Sequence, residues 1–280
     1  MLYALFLLLT PTTLAQPQPN PAQAAATAED HRDMMRQLGI RALRPAPSGN
    51  PQAPNQPNYD ESKANPFPDW PEILTSKNGH KTARPEFYAK ERPAQIREEF
   101  AREVYGRIPE KTPKVTWTIV RQSHDKIGST PVLARELKGR VDNSRHPAIE
   151  VNIQMVVVTP ANAKRRVPLM ILFTRPSFPS DPVPEAFARF AAQRGPDPPA
   201  TQQLIEAGWG YAQLLPSSIQ ADNGAGLTQG VIGLVNKGKR RKPEHWGALM
   251  AWAWGASRAL DYLTTDNTID YKRVGIEGVS

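Results

Sequence analysis

The hydrophobic and polar positions divide the chain into two unequal parts. From residue 16 to about 65, Gln, Pro, Ala and Asn dominate and no apolar period persists. Such a segment buries too little apolar surface to offset the entropy of ordering it. It is expected to be a disordered Pro/Gln/Ala-rich tether, with room for a short amphipathic helix over 29–38 and with 45–57 extended and mobile. From residue 66 the pattern changes. Phe87, Ile96, Phe100 and Val104 are the apolar positions of a helix over 86–105 that Gly106 stops. Pro93 is expected to break its first part, leaving 94–105 as the firm helix. Residues 115–120 alternate as a strand, 132–138 form a second and 149–158 a longer third. Residues 167–173, Val-Pro-Leu-Met-Ile-Leu-Phe, are continuously apolar, as a strand buried on both faces would be.

Beyond that point strands and helices alternate. A Pro-rich loop over 174–184 leads to helices over 186–193 and 200–207, the second ended by Gly208, and then a strand over 209–215. A glycine-rich loop over 222–233 precedes a strong helix over 244–263, with Trp246, Leu249, Met250, Ala253, Ser257 and Leu260 at helical spacing. The last strand covers 273–279. This alternation argues for an α/β fold with a mainly parallel sheet and helices on both faces. No internal repeat is present.

Composition and charge narrow the class. A chain of 280 residues accommodates one large domain plus appendages. Its first ten residues are a short apolar run, and Thr13-Leu14-Ala15 offers the small residues a signal peptidase prefers. Residues 1–15 are therefore expected to be a signal peptide, although no Lys or Arg precedes the apolar run. The run is too short to span a bilayer and no other segment is longer, so no stable membrane span is expected after cleavage. The protein is expected to be exported, periplasmic or secreted, and a monomer. Cysteine is absent, which excludes thiol catalysis and cysteine-ligated metal. The five histidines form no spaced metal cluster, and no cofactor is expected.

The formal net charge of +8 attracts acidic partners in general, but the basic residues are scattered and export argues against nucleic acid. One run, Lys237-Gly-Lys-Arg-Arg-Lys242, could grip an acidic glycan or a lignin phenolate; a solvated loop is the favoured reading. Asp222-Asn-Gly-Ala-Gly226 is not a phosphate loop, because no Gly-Lys-Ser/Thr follows.

The candidate chemistry lies in Arg273-Val-Gly-Ile-Glu-Gly-Val-Ser280, a short strand running into Gly-x-Ser. In a nucleophile elbow the serine sits on a strained turn that lifts its hydroxyl clear of the sheet, and the tight turn demands glycine two residues earlier. Ser280 is the candidate nucleophile. Gly255-Ala256-Ser257 repeats the spacing inside a predicted helix and lacks this context. Glu277 on the elbow strand is read as a structural carboxylate rather than a catalytic one. Trp246, Trp252 and Trp254 could stack sugars, but their helical pattern makes them core. Arg175 is read as a solvent-facing loop residue. The hydrolase order of Ser, acid, His puts the base after the serine. His31, His80, His124, His146 and His245 all precede Ser280 and are read as surface or packing residues.

The stretch Trp246-Gly-Ala-Leu-Met-Ala-Trp-Ala-Trp-Gly-Ala-Ser-Arg-Ala-Leu-Asp-Tyr-Leu263, followed by the Gly-Val-Ser280 strand, resembles the carbohydrate esterase family 15 glucuronoyl esterases. The block Leu214-Leu-Pro-Ser-Ser-Ile-Gln-Ala-Asp-Asn-Gly-Ala-Gly226 resembles bacterial members, and Arg84-Pro-Glu with Glu103-Val-Tyr-Gly-Arg-Ile-Pro109 resembles the family's N-terminal helix. The resemblance covers about residues 66–280. It implies an α/β-hydrolase fold and a serine esterase for the ester that joins 4-O-methyl-glucuronic acid of xylan to lignin alcohols, so that the partner is a glucuronoxylan or lignin-carbohydrate ester. In the family the serine is followed by Arg, any residue, Gly and Lys, and later by an acid and a histidine; only the serine carries over, onto Ser280. The residue before it is Val279, where fungal members have cysteine, and Phe173-Thr-Arg-Pro-Ser177 departs from the family's usual loop. Residues 66–280 are thus read as the N-terminal part of an esterase domain. Taken alone it lacks the His, the acid and the oxyanion Arg, and is expected to be inactive and poorly soluble. The readings kept beside this one are another exported α/β-hydrolase, such as an acetylxylan esterase or a peptidase, and a non-catalytic glycan-binding relative.

Overall fold

Strand pairing organises the chain around one mixed sheet. The computed structural model describes residues 20–63, 69, 72–76, 78–82, 84–183 and 197–278; the signal peptide expected at 1–15, the helix expected over 186–193, and Val279 and Ser280 lie outside them. The strands are β1 (Val115–Ile127), β2 (Thr130–Val141), β3 (Asn152–Pro160), β4 (Val167–Phe173), β5 (Gly210–Leu214) and β6 (Ile269–Glu277), in the spatial order β1-β2-β3-β5-β4-β6. β1, β2 and β3 pair antiparallel, and β3 pairs antiparallel with β5. β5, β4 and β6 run parallel. Parallel pairing is confined to the part of the chain where helices separate the strands, because only a crossover can return the chain in the same direction. The turn at Gly128-Ser129 between β1 and β2 allows only the antiparallel pairing.

Helices cover both faces, as expected. On one face Met155, Val157, Leu169, Ile171, Ala212 and Leu214 pack with residues of α4 (Gly230–Asn236) and α5 (Ala248–Leu263). On the other, Val156, Val158, Leu172 and Tyr211 pack with Ile205 of α3 (Ala200–Glu206). Adjacent valines of β3 point to opposite layers, so the central strand is buried on both sides. α5 turns Ala251, Trp254, Gly255, Ala259 and Leu263 inward. A Cβ on Gly255 would lie 2.3 Å from Ile219 Cδ1, so this glycine sets how closely α5 approaches the loop after β5.

Several expectations are corrected. The helix allowed for over 29–38 is present but longer: α1 covers Pro21–Gln37, with Asn20 Oδ1 accepting the Ala22 N–H at 3.0 Å and Pro21 in the first turn. Its alanines favour helix intrinsically, none of its residues is fully buried, and Thr27, Glu29 and Gln37 link it to the fold through polar bonds. Residues 46–55 close a turn rather than extend: Ser48 N–H donates to Asn55 O and Asn55 Nδ2 to Ala46 O. Pro93 does not break its helix. A π-helical turn, Phe87–Glu91, precedes α2 (Arg92–Phe100), and a second, Ala101–Tyr105, follows it. The wider turn ahead of Pro93 accommodates a ring that has no N–H to give. The glycine-rich loop over 222–233 is a 3₁₀ turn, Gly224–Thr228, followed by α4.

The long helix begins at Ala248, not at residue 244, because residues 244–247 are held by the chain after α2. Arg107 bridges His245, Arg107 N–H donates to Glu244 O at 2.9 Å, and Gly247 N–H donates to Tyr105 O at 3.0 Å. Trp246 is thus fully buried ahead of the helix, edge-on to Trp254 at 6.1 Å. Gly106 makes this crossing possible: its φ is 79°, and a Cβ there would sit 2.1 Å from His245 O. Gly106→Ala is expected to cost at least about 2 kcal/mol in urea denaturation, since both the left-handed backbone and the contact penalise a side chain.

One buried ion pair ties β2 to the turn before β6. Arg135 Nη2 lies 2.5 Å from Asp266 Oδ2, with both side chains nearly sealed from solvent. Burial opposes ionisation of Asp266, but the hydroxyl and amide of Thr268, at 2.6 and 2.9 Å, together with Arg135, outweigh it and hold the carboxyl below its ordinary range. A depressed carboxylate stabilises fully above its unfolded value, about pH 4, and that stabilisation is lost as pH falls through the lower folded value. Asp266→Asn is expected to destabilise by about 3 kcal/mol at neutral pH by leaving Arg135 uncompensated. The loss should shrink in urea titrations repeated below about pH 4.

Candidate active site

The carboxyl ends of β4, β5 and β6 set the geometry of the site. Leu172 on β4 pairs in register with Glu277 on β6, and Phe173 pairs with Leu214 on β5. Gly278 comes next after Glu277, and a Cβ there would lie 3.2 Å from Phe173 Cδ2. Glycine therefore lets the chain leave β6 close against that ring. Ligands in α/β sheets collect outside the carboxyl ends of the strands, and an elbow serine sits at the top of such a sheet. Ser280 lies outside the described residues. Glu277 is exposed at the end of β6.

The loop that follows β4 is pinned across this edge. Thr174 N–H donates to Leu214 O at 3.1 Å. Gln213, a buried amide on β5, accepts the Ser177 N–H at 2.9 Å through Oε1. Phe178 is buried, and its N–H donates to Asp181 Oδ2 at 2.8 Å. The Arg121 guanidinium stacks 3.8 Å over the Phe178 ring and bonds Asp181 Oδ1 at 3.2 Å. Farther along, Ser180 Oγ donates to Asp125 Oδ2 at 3.2 Å. Thr174, Ser177 and Phe178 thus spend their amides inside the loop's own support, and Pro176 has none. The Arg175 N–H is the one amide over 174–178 with no protein acceptor among the described residues. In α/β-hydrolases the loop in this place supplies one oxyanion donor. The Arg175 side chain itself is exposed, as expected.

The loop that follows β5 is organised by Gln220, which is completely buried. Its Nε2 donates to Gly226 O at 2.8 Å, its Oε1 accepts the Ile232 N–H at 3.1 Å, and its carbonyl accepts Trp252 Nε1–H at 2.9 Å. One side chain and its own carbonyl thus join the 3₁₀ turn, α4 and α5. Ser218 adds a link to β3, its Oγ accepting the Gln154 N–H at 3.0 Å. Gln213 and Gln220 escape sequence reasoning. An amide in the otherwise apolar Tyr211-Ala-Gln-Leu-Leu215 is the only signal for the first, and there is none for the second.

The other candidates fall outside this edge. Trp246 and Trp254 are core, and Trp252 is half-buried with its indole nitrogen spent on Gln220. Ser257 is mid-helix, its Oγ donating to Ala253 O at 3.0 Å, and forms no elbow. His31 is exposed on α1, and His80 lies in the turn between Thr75 and Lys81. His146 is in the turn before β3, and His245 is in the bridge to Arg107. His124 is on β1, five strand spacings from β6 and so about 24 Å away across the sheet.

The basic run at 237–242 is not simply solvated. Arg240 pairs with Glu29 and approaches Asp33 on α1, and Gln37 Nε2 reaches Arg241 O at 3.5 Å. Thr27 Oγ1 accepts the Ala225 N–H at 3.2 Å. Among the described residues no three His, Asp or Glu side chains are grouped to hold a metal, and no helix is long and apolar enough to cross a membrane.

Gln220→Leu is expected to lower stability by about 2–4 kcal/mol in chemical denaturation, because Gly226 O and Ile232 N–H lose their partner in a buried setting.

Comparison with known proteins agrees with this geometry. The family model described as "Glucuronyl esterase, fungi" matches residues 241–280, which span α5, β6 and the Gly-x-Ser stretch. A carbohydrate esterase family 15 glucuronoyl esterase from Teredinibacter turnerae T7901 is 33% identical with a TM-score of 0.77, covering 91% of this chain and 61% of that one. The glucuronoyl esterase from Solibacter usitatus is 26% identical with a TM-score of 0.64, over 79% of this chain and 59% of that one. Carbohydrate esterase MZ0003, from an unknown prokaryotic organism, is 24% identical over 245 residues, 80% of this chain and 55% of the relative. The chain therefore spans less than two thirds of the length of each of these relatives. Over the part of their length that it spans, the chain is similar in sequence and structure to the glucuronoyl esterases of carbohydrate esterase family 15, and its sheet with helices on both faces matches their α/β-hydrolase fold.

Proposed function

We propose that this chain carries the nucleophile of an exported serine esterase that cleaves esters of 4-O-methyl-glucuronic acid on xylan. The observation that carries the reading is the seat of Gly278 against Phe173 at the carboxyl end of the parallel strands, in a chain 33% identical to a glucuronoyl esterase. Ser280 Oγ attacks the C6 ester carbonyl while a histidine takes its proton. The developing oxyanion is held by backbone donors, for which the Arg175 N–H is available on the facing loop. The alcohol leaves with the proton from the histidine, and water then attacks the acyl-enzyme to release the glucuronate. The hydrolase order places the acid and the base after the serine in the protein. None of the five histidines in this chain is assigned that role. No metal or organic cofactor enters the reaction. The substrate in this reading is a glucuronoxylan or lignin-carbohydrate ester, bound by a secreted or periplasmic monomer with no nucleic-acid partner. Residues 1–15 act as its export signal, and residues 66–280 as part of its esterase domain.

In the full-length protein bearing this chain, Ser280→Ala is expected to lower hydrolysis of a benzyl glucuronate ester by about 10⁴- to 10⁶-fold. The wild type is expected to prefer that ester over an acetyl ester. Faster acetyl release would make it an acetylxylan esterase. Xylan binding with no hydrolysis of either ester would make it a glycan-binding relative.

A further inference from the structure

The amino end of β4 carries a second feature that the nucleophile reading does not use. Lys164, Arg165 and Arg166 occupy the turn from β3 into β4, all three exposed. With Thr159, Asn267 and Thr268 they line a pocket of about 300 Å³. That volume is at the lower end of the range for small-ligand sites, enough for one sugar-sized group. The turn is anchored at both ends: Ala161 N–H donates to Pro131 O at 2.9 Å, and Val167 N–H donates to Thr268 O at 2.9 Å.

Among the described residues the charge of this pocket has no carboxylate counterpart. No acidic side chain lines it. Lys164 and Arg165 have no carboxylate partner among the described residues, and Arg166 Nη2 donates only to Asn267 Oδ1, at 3.3 Å. The acids nearest in sequence are already engaged. Asp266 is held by Arg135 and Thr268, and Asp270 by Arg273 at 2.7 Å. Three cations on an anchored turn, two of them with planar forks suited to a carboxylate, therefore line a concave surface with no counter-charge among the described residues. The pocket and Gly278 lie at opposite ends of β4, whose seven residues separate them by about 23 Å.

We propose that this pocket is a second, non-catalytic site that binds the free carboxylate of a uronic-acid-bearing glycan. The pocket's charge points to an anionic group; the choice of a uronate rests on the esterase reading above. A xylan chain whose ester is at the nucleophile bears other, unesterified uronates along its length. Engaging one of them at a distance makes attachment to the polymer partly intramolecular.

The test is affinity electrophoresis of the full-length protein in gels containing glucuronoxylan, neutral arabinoxylan or heparin. The variants are K164Q/R165Q/R166Q and a charge-matched control, K237Q/K239Q/K242Q, with circular dichroism to verify folding. Glucuronoxylan is expected to retard the wild type and the control alike, and neutral arabinoxylan neither. The 164–166 variant is expected to bind glucuronoxylan at least about tenfold more weakly, as the loss of charged hydrogen bonds implies. Unchanged retardation of that variant overturns the proposal, as does equal weakening of the control. Tighter binding to heparin than to glucuronoxylan does so too, because it marks a general polyanion patch. The outcome is separable from the esterase reading: ester hydrolysis with no site-dependent retardation removes this site alone. Retardation lost at 164–166 without ester hydrolysis keeps the site and removes the esterase reading.

Discussion

The parallel pairing of β4 with β5 on one side and β6 on the other is the constraint on which the rest of the structure depends. Leu169, Ile171 and Leu172 of β4 are almost wholly removed from water, on both faces of the sheet. A strand buried this way cannot slip by one residue without turning its apolar set toward the wrong layer. Its register therefore fixes where β5 and β6 end, and with them the origin of both loops that border the candidate site. Gly278 leaves β6 beside Phe173 because Glu277 is paired with Leu172.

Around that frame, polar side chains rather than apolar ones position the edge of the site. Gln213 and Gln220 are neutral amides in buried surroundings, each satisfying backbone groups that the loops would otherwise leave unpaired. Arg121 performs a similar task from β1, holding Phe178 and Asp181 together on the loop after β4. α1 contributes from outside the sheet, with its acidic residues on Arg240 and Thr27 on the backbone of the turn after β5. A loop held by several independent bonds keeps its geometry when a ligand arrives, which a preorganised oxyanion site requires.

The elements that sequence pattern revealed are those whose partners are apolar. β4 coincides with its continuous run, and β5, α3 and β6 lie within a few residues of their expected positions. β1 extends seven residues beyond its alternating stretch because Arg121, Gln122, His124, Asp125 and Lys126 pair as backbone on an edge strand where side chains need not be buried. The start of α5 was hidden because a contact 138 residues away in sequence, Arg107 with His245, competes with helix formation. The second half of α1 lies where a helix over 29–38 was allowed for; its first half, held through Thr27, leaves no apolar period. Of the candidate site, the Gly-x-Ser stretch is the part that carries a signal in the sequence. The roles of Gln213, Gln220 and the Arg175 amide were not legible, since they come from which backbone groups the fold leaves beside them.

The central claim is the proposal that Ser280, which follows β6 in sequence, is an activated nucleophile. Its most direct test is peptide mapping by mass spectrometry after brief exposure of the full-length protein to a serine-directed fluorophosphonate. The account predicts a stoichiometric adduct on Ser280 that competing glucuronate ester suppresses. An unmodified Ser280, or an adduct on another serine such as Ser257 or Ser177, would contradict it.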